Sequence, residues 1–316
     1  MSKTTQIRDQ MRTMIANDLA PLLGADVPIE VQRGTLDALG SQAEIPTGVL
    51  VERDTFGGVA VERLTPLSRA ERVVIYVHGG GYCSGSCDSH RALAARVATV
   101  CRAQCIVPEY RLAPEHPFPA GLQDLMAVYR ALLRQGTAAS QIIFAGDSAG
   151  CALMVSMALL AKDTHLPQPR AIVMLSPWLD PTLSGPTMTS LADVDPWITA
   201  AGCELMVRAY GANPELALAS PLKADLRGLP PILIHVGGQE ILLSDSTRFE
   251  QRARAAGVDV RVDIYEDLWH VWHFFAPALP DANQALEAIG EHVEAWFGDA
   301  TVPAADFDPR PRLANG

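Results

Sequence analysis

A chain of 316 residues with 48% hydrophobic side chains can bury one large core or two small ones. Its net charge of −11, with no long basic run, excludes a nucleic-acid binder, which needs a basic face. No stretch reaches the roughly 18 apolar residues of a membrane span, and the opening MSKTTQIRDQMRTMIANDLA lacks the apolar centre of a signal peptide.

In chain order, residues 5–20 place Ile, Met, Ala and Leu at helical spacing between charges and predict a short amphipathic helix. Ile29–Val31, Val49–Val51 and Val59–Val61 read as antiparallel strands or hairpin arms. Val73–Val77 is the first unbroken apolar strand, as in the middle of a covered sheet, and it runs into His78-Gly79-Gly80-Gly81-Tyr82. A helix over 89–102, a strand over 103–107, a proline-stiffened loop over 108–115 and a helix over 120–135 follow. Then come a strand over 142–145, a helix over 152–161 and a strand over 171–175 leading into Ser176-Pro177-Trp178. Residues 180–225 hold Pro, Gly, Trp197 and Met206 in short helical patterns with no good strand. Strand, helix, strand and helix resume over 230–236, 244–256, 260–265 and 282–297. This alternation predicts an α/β fold with a mostly parallel sheet and helices on both faces. The expected organisation is a core of residues 46–180 and 226–300, an N-terminal cap segment over 1–45, an inserted cap segment over 181–225, and a flexible tail over 301–316.

The chemistry centres on Gly146-Asp147-Ser148-Ala149-Gly150. A G-x-S-x-G turn between a buried strand and a helix is the nucleophile elbow of α/β-hydrolases. Its glycines are expected to leave room for a strained serine. A nucleophilic Ser148 needs a base, an orienting acid and oxyanion donors. The base must lie late in the chain. His165 lies just past the elbow helix, His235 inside a strand and His292 on the last helix, whereas His270 stands on a loop at the carboxyl end of a strand. His273 reads better as a packing residue. For the acid, Glu240 and Asp245 compete on the loop after the 231–236 strand. Asp245 opens a helix and suits a capping role, so Glu240 is preferred. The triglycine lets the N–H groups of Gly80 and Gly81, with that of Ala149, converge as an oxyanion hole, and it fits no nucleotide-binding glycine pattern. Tyr82, Trp178, Trp197, Trp269 and Trp272 lie on or near the site loops and are candidates for an aromatic substrate pocket.

The six cysteines (Cys83, Cys87, Cys101, Cys105, Cys151, Cys203) form no CxxC pair, and no histidine is spaced to complete a zinc site. Reduced thiols, a cytoplasmic location and no metal are expected.

The series HGGG, then YRLAPEHPFPA, then GDSAG, then a late acid and histidine, resembles the hormone-sensitive-lipase family of bacterial carboxylesterases over roughly residues 73–275. The resemblance implies an eight-stranded α/β-hydrolase core with a helical cap. It also implies a catalytic Ser148 and His270, and oxyanion donors at Gly80, Gly81 and Ala149. The family acid is commonly Asp, about thirty residues before the histidine, where this chain has the longer Glu240. The run 238–245 also resembles a branch with monoterpene-lactone hydrolases and heroin-type acetylesterases. The expected function is serine carboxylesterase on short-to-medium-chain acyl esters, through an acyl-enzyme and without cofactor. The alternatives are a lactone hydrolase or amidase on the same triad, and a ligand-binding protein that has kept the fold without catalysis. A small-molecule ester is the expected partner, with a homodimer through the last strand or helix on fold analogy. Tyr110, Arg111, Glu115 and Asp147 read as structural, with Arg111 paired to Glu115 or a nearby carboxylate.

Overall fold

A computed structural model describes residues 2–67 and 72–298. The chain begins with α1 (Lys3–Met14), passes through a π turn at Ile15–Leu19 and a short 3-10 turn ending at Leu22, and enters α2 (Ile29–Gln42). The hairpin β1 (Val49–Phe56) and β2 (Val59–Pro66) follows, then β3 (Arg72–Val77), α3 (Cys87–Val100), β4 (Ala103–Pro108), α4 (Ala120–Arg134) and β5 (Ile142–Asp147). Next come α5 (Ala149–Asp163), β6 (Ala171–Leu175), α6 (Thr187–Ser190), α7 (Ala200–Tyr210), β7 (Ile232–Gly237), α8 (Leu243–Ala255), β8 (Val260–Tyr265) and α9 (Pro280–Phe297).

The strands form one eight-stranded sheet in the order β1-β2-β4-β3-β5-β6-β7-β8. The β1–β2 and β2–β4 pairs are antiparallel and every pair from β4 to β8 is parallel. Covered strands carry apolar side chains on both faces, and their alternation divides the core in two. Ile75 and Val77 of β3, with Ile142 and Phe144 of β5, pack beneath α4, α5 and α8. Val74, Tyr76, Ile143 and Ala145 pack on the other face beneath α3 and α9. The tail over 301–316 lies outside the described residues.

One expectation is overturned. Ile29–Val31 is the first turn of α2, not a strand. Pro28 stands before the helix, where a missing N–H costs nothing. Gln32, Leu36 and Gly40 then recur at helical spacing on the face turned inward, while Val31 is exposed. Gly40 rides directly on the backbone of Ser89, since a Cβ there would come within 2.1 Å of that residue's carbonyl oxygen.

The parallel strands all point their carboxyl ends at one edge. His78–Gly81 follows β3, Ser148 follows β5, Ser176 follows β6, Glu240 follows β7 and His270 follows β8. Residues from 20–36 and 197–206 line a cavity at that edge.

Candidate active site

Ser148 sits between β5 and α5 with φ 50° and ψ −125°, a conformation that non-glycine residues rarely adopt. Its N–H donates to the Leu175 carbonyl at 2.9 Å, and its carbonyl accepts from the Trp178 N–H at 3.1 Å, so β6 holds the strained turn. The flanking glycines act differently from the expectation. A Cβ at Gly146 or Gly150 would come within 2.2 or 2.1 Å of the Val77 carbonyl oxygen. They leave room for the end of β3 rather than for the serine.

Three side chains line up across the strand ends. The Ser148 hydroxyl lies 3.0 Å from His270 Nε2. His270 Nδ1 lies 2.6 Å from Glu240 Oε2. The other carboxylate oxygen accepts from the Gly237 N–H at 2.5 Å and from the Ser176 hydroxyl at 2.9 Å. Glu240 is therefore acceptor to three donors, so a fully buried polar group keeps its partners. With Nδ1–H given to Glu240, Nε2 is left to accept the serine proton. Burial pushes the His270 imidazole down, but the hydrogen bond and charge of Glu240, followed by the charges of Asp195 and Asp147, outweigh it and leave the group above its ordinary value.

Asp245 faces elsewhere. Its Oδ2 accepts from the N–H groups of Leu179 and Asp180 at 2.8 and 2.9 Å, tying α8 to the loop after β6. Burial pushes its carboxyl up to about 7. His273 is fully buried, with Nε2 3.4 Å from Nδ1 of His235, away from the serine.

Among the described residues, the N–H groups of Gly80, Gly81 and Ala149 donate to no protein acceptor. Gly80 and Gly81 take φ of 105° and 61°. The Gly80 carbonyl turns away, accepting from the N–H groups of Cys83 and Ser84 and from the Ser84 hydroxyl. Tyr110 fixes the start of this loop by donating to the His78 carbonyl at 2.8 Å and stacking on its ring at 4.2 Å. Arg111 pairs with Asp124 rather than with Glu115, which instead binds Arg33 on α2. Asp147 is buried, accepting from the Tyr76 hydroxyl at 2.9 Å and facing His90 Nε2 at 3.4 Å.

A cavity of about 140 Å³ opens onto Ser148, His270, Gly80 and Gly81. Its walls are mostly apolar: Leu23 and Leu36 from the N-terminal segment, Trp197, Ile198 and Met206 from the insertion, and Trp178 and Phe274 from the core loops. Met206 lies against Gly81, where a Cβ would meet its Cγ at 2.8 Å. Of the five aromatic candidates, Trp178 and Trp197 line this cavity, whereas Tyr82, Trp269 and Trp272 do not. Tyr82 stacks on Tyr210 at 3.9 Å. Trp269 and Trp272 are wholly buried and pack into the core on the α3–α9 face, because the chain on either side of His270 turns inward.

Sequence reasoning missed Ser176, whose hydroxyl donates to Glu240 and accepts from the Val271 N–H at 3.0 Å, so one buried group holds the acid and the residue after the histidine. Its signal was its place at the carboxyl end of a core strand. It also missed Phe274 and the N-terminal residues Leu23 and Leu36.

Residues 74–274 match the family described as alpha/beta hydrolase fold. The chain is 37% identical over 257 residues to an acetyl-hydrolase of Streptomyces hygroscopicus, covering 81% of this chain and 85% of that protein. It is 35% identical over 237 residues to an esterase of Acinetobacter venetianus, covering 74% and 78%. Among solved structures, an esterase from the bacterial hormone-sensitive lipase family superposes with a TM-score of 0.87 at 36% identity, covering 94% of this chain and 100% of that one. With the eight-stranded sheet, the elbow and the HGGG loop already in place, these likenesses show that the chain belongs to the hormone-sensitive-lipase family of α/β-hydrolase carboxylesterases.

Proposed function

We propose that Ser148, His270 and Glu240 form the catalytic triad of this carboxylic ester hydrolase, and that its substrates are small, uncharged esters with short-to-medium acyl chains. The hydrogen-bonded line from Ser148 through His270 to Glu240 carries the reading. Ser148 attacks the ester carbonyl as His270 Nε2 takes its proton. Glu240 holds the tautomer and stabilises the imidazolium. The N–H groups of Gly80, Gly81 and Ala149 receive the oxyanion, each worth about 3 kcal/mol in the transition state. His270 returns the proton to the leaving alcohol, and water then cleaves the acyl-enzyme by the same route in reverse. The small cavity, with walls mostly of apolar side chains, favours a compact acyl group without charge, since those walls would strip a charged one of its water.

The test is hydrolysis of p-nitrophenyl esters from acetate to decanoate, beside a lactone and an anilide. Activity should peak among the shorter chains and vanish in Ser148→Ala. A preference for the lactone or anilide would move the substrate class while keeping the triad, and a fully active Ser148→Ala would end the proposal.

Six buried, unpaired thiols suit a reducing compartment, which supports a cytoplasmic location. The open edge strand β8, with Ile264 exposed on it, supports a homodimer through that edge, to be read by light scattering.

A further inference from the structure

The loop that carries Glu240 is held from above as well as from the core. Gln239 and Ile241, on either side of the acid, are tied by side chains of the segments that lie over the sheet edge. Arg12 on α1 donates to the Gln239 side-chain oxygen and, through its other terminal nitrogen, to the Val194 carbonyl. Thr187 on α6 donates its hydroxyl to the Ile241 carbonyl at 2.7 Å. Asp195 accepts the Ile241 N–H on Oδ2 at 3.0 Å. Its Oδ1 accepts from the N–H groups of Trp197 and Ile198 at 2.9 and 3.2 Å. Both polar groups of Ile241 are thus bound by the insertion, and one carboxylate also shapes the turn that places Trp197 and Ile198 in the cavity wall.

A neutral Asn or Ser would serve as well for a turn alone. Asp195 is instead a carboxylate with no ion pair among the described residues, in a place where desolvation works against its charge. That cost has a use if the charge acts on the reaction.

We propose that Asp195 is a positioning residue of the triad: it fixes Glu240 through the Ile241 N–H, couples that alignment to the seated position of the insertion, and lends its negative charge to the imidazolium that forms on His270. The inference rests on the Ser148–His270–Glu240 reading. The charged and titratable groups facing His270 are Glu240, Asp195 and Asp147. Those around Asp195 are His270, Glu240 and the Cys203 thiol on α7, with Arg12 reaching the adjacent Val194 carbonyl. Burial pushes the Asp195 carboxyl up to about 6 against the pull of His270, so it is ionised through neutral and alkaline pH.

Asp195→Asn keeps the shape and one acceptor while removing the charge. The experiment measures kcat and KM for p-nitrophenyl butyrate from pH 5 to 9, with thermal melting, for wild type, Asp195→Asn and Ser148→Ala. We expect kcat to fall about tenfold in Asp195→Asn with KM little changed. The acid limb of kcat/KM should also move to lower pH, because His270 loses a neighbouring anion. A wild-type kcat and acid limb, or a loss carried by KM alone, would overturn the inference. If Asp195→Asn is not recovered folded, Asp195→Ser, which keeps a hydroxyl acceptor for the turn, is read by the same two outcomes. Turnover surviving in Ser148→Ala would sink the triad reading itself. Turnover lost there beside a wild-type Asp195→Asn would sink only the role of Asp195.

Discussion

In the proposed triad Ser148 attacks only when His270 is neutral, so kcat/KM is expected to rise as pH rises through the pKa of that imidazole. Burial alone would lower this pKa, yet Glu240 raises it above the ordinary 6.5, so the midpoint of the acid limb is expected above 6.5. Glu240→Gln should shift the limb to lower pH and reduce kcat by roughly 10⁴-fold, a profile measurable with p-nitrophenyl butyrate. Asp245→Ala should leave the limb in place and lower stability by about 1–3 kcal/mol, because the N–H groups of Leu179 and Asp180 lose their acceptor. Urea unfolding reads that difference. That Ser148, His270 and Glu240 converge was legible in the sequence because each stands in a glycine-framed turn or in a loop at a strand's carboxyl end. The partners of Ser176 and Asp195 were not legible, since they are 64 and 46 residues away; the place of Ser176 at a strand's carboxyl end marks it as near the site but not what it binds. Trp269 and Trp272 looked like pocket residues because they adjoin His270 and the turn before α9, but proximity along the chain does not fix which way a side chain points.

The elements fit one another through close backbone contacts at the strand ends. β3 passes so near the elbow that its Val77 carbonyl fills the space where Cβ atoms of residues 146 and 150 would stand. Gly146→Ala is therefore expected to force β3 and α5 apart and destabilise the protein by about 3 kcal/mol, seen as a lower urea midpoint. Ser176→Ala removes a donor from Glu240 and an acceptor from the Val271 N–H. It should lower kcat more than it raises KM, because it loosens the acid and the histidine loop together. Unbroken apolar runs such as 73–77 and 171–175 identified the core strands from sequence, since burial on both faces leaves no room for a polar position. Ile29–Val31 misled because three residues cannot distinguish alternation from the start of a helix.

Across the whole molecule, the strand ends supply Ser148, His270 and the oxyanion-loop glycines of the cavity, while residues 20–36 and 197–206 supply much of its wall. Arg8 extends this bridging, pairing α1 with Asp267 ahead of the histidine and with Asp281 at the start of α9. α1 thereby touches the loops of both Glu240 and His270. Met206→Ala, which removes the side chain lying against Gly81, is expected to lengthen the accepted acyl chain with little loss of stability, as read by the ratio of p-nitrophenyl octanoate to butyrate turnover.

Covalent trapping tests most directly whether Ser148 is the nucleophile. The intact protein is treated with a small alkyl phosphonofluoridate, weighed by mass spectrometry, and digested to locate the adduct. One adduct per chain is expected, on the peptide containing Ser148, with activity lost in proportion and no labelling of Ser148→Ala. Labelling at another serine, or full esterase activity in protein stoichiometrically modified at Ser148, would contradict it.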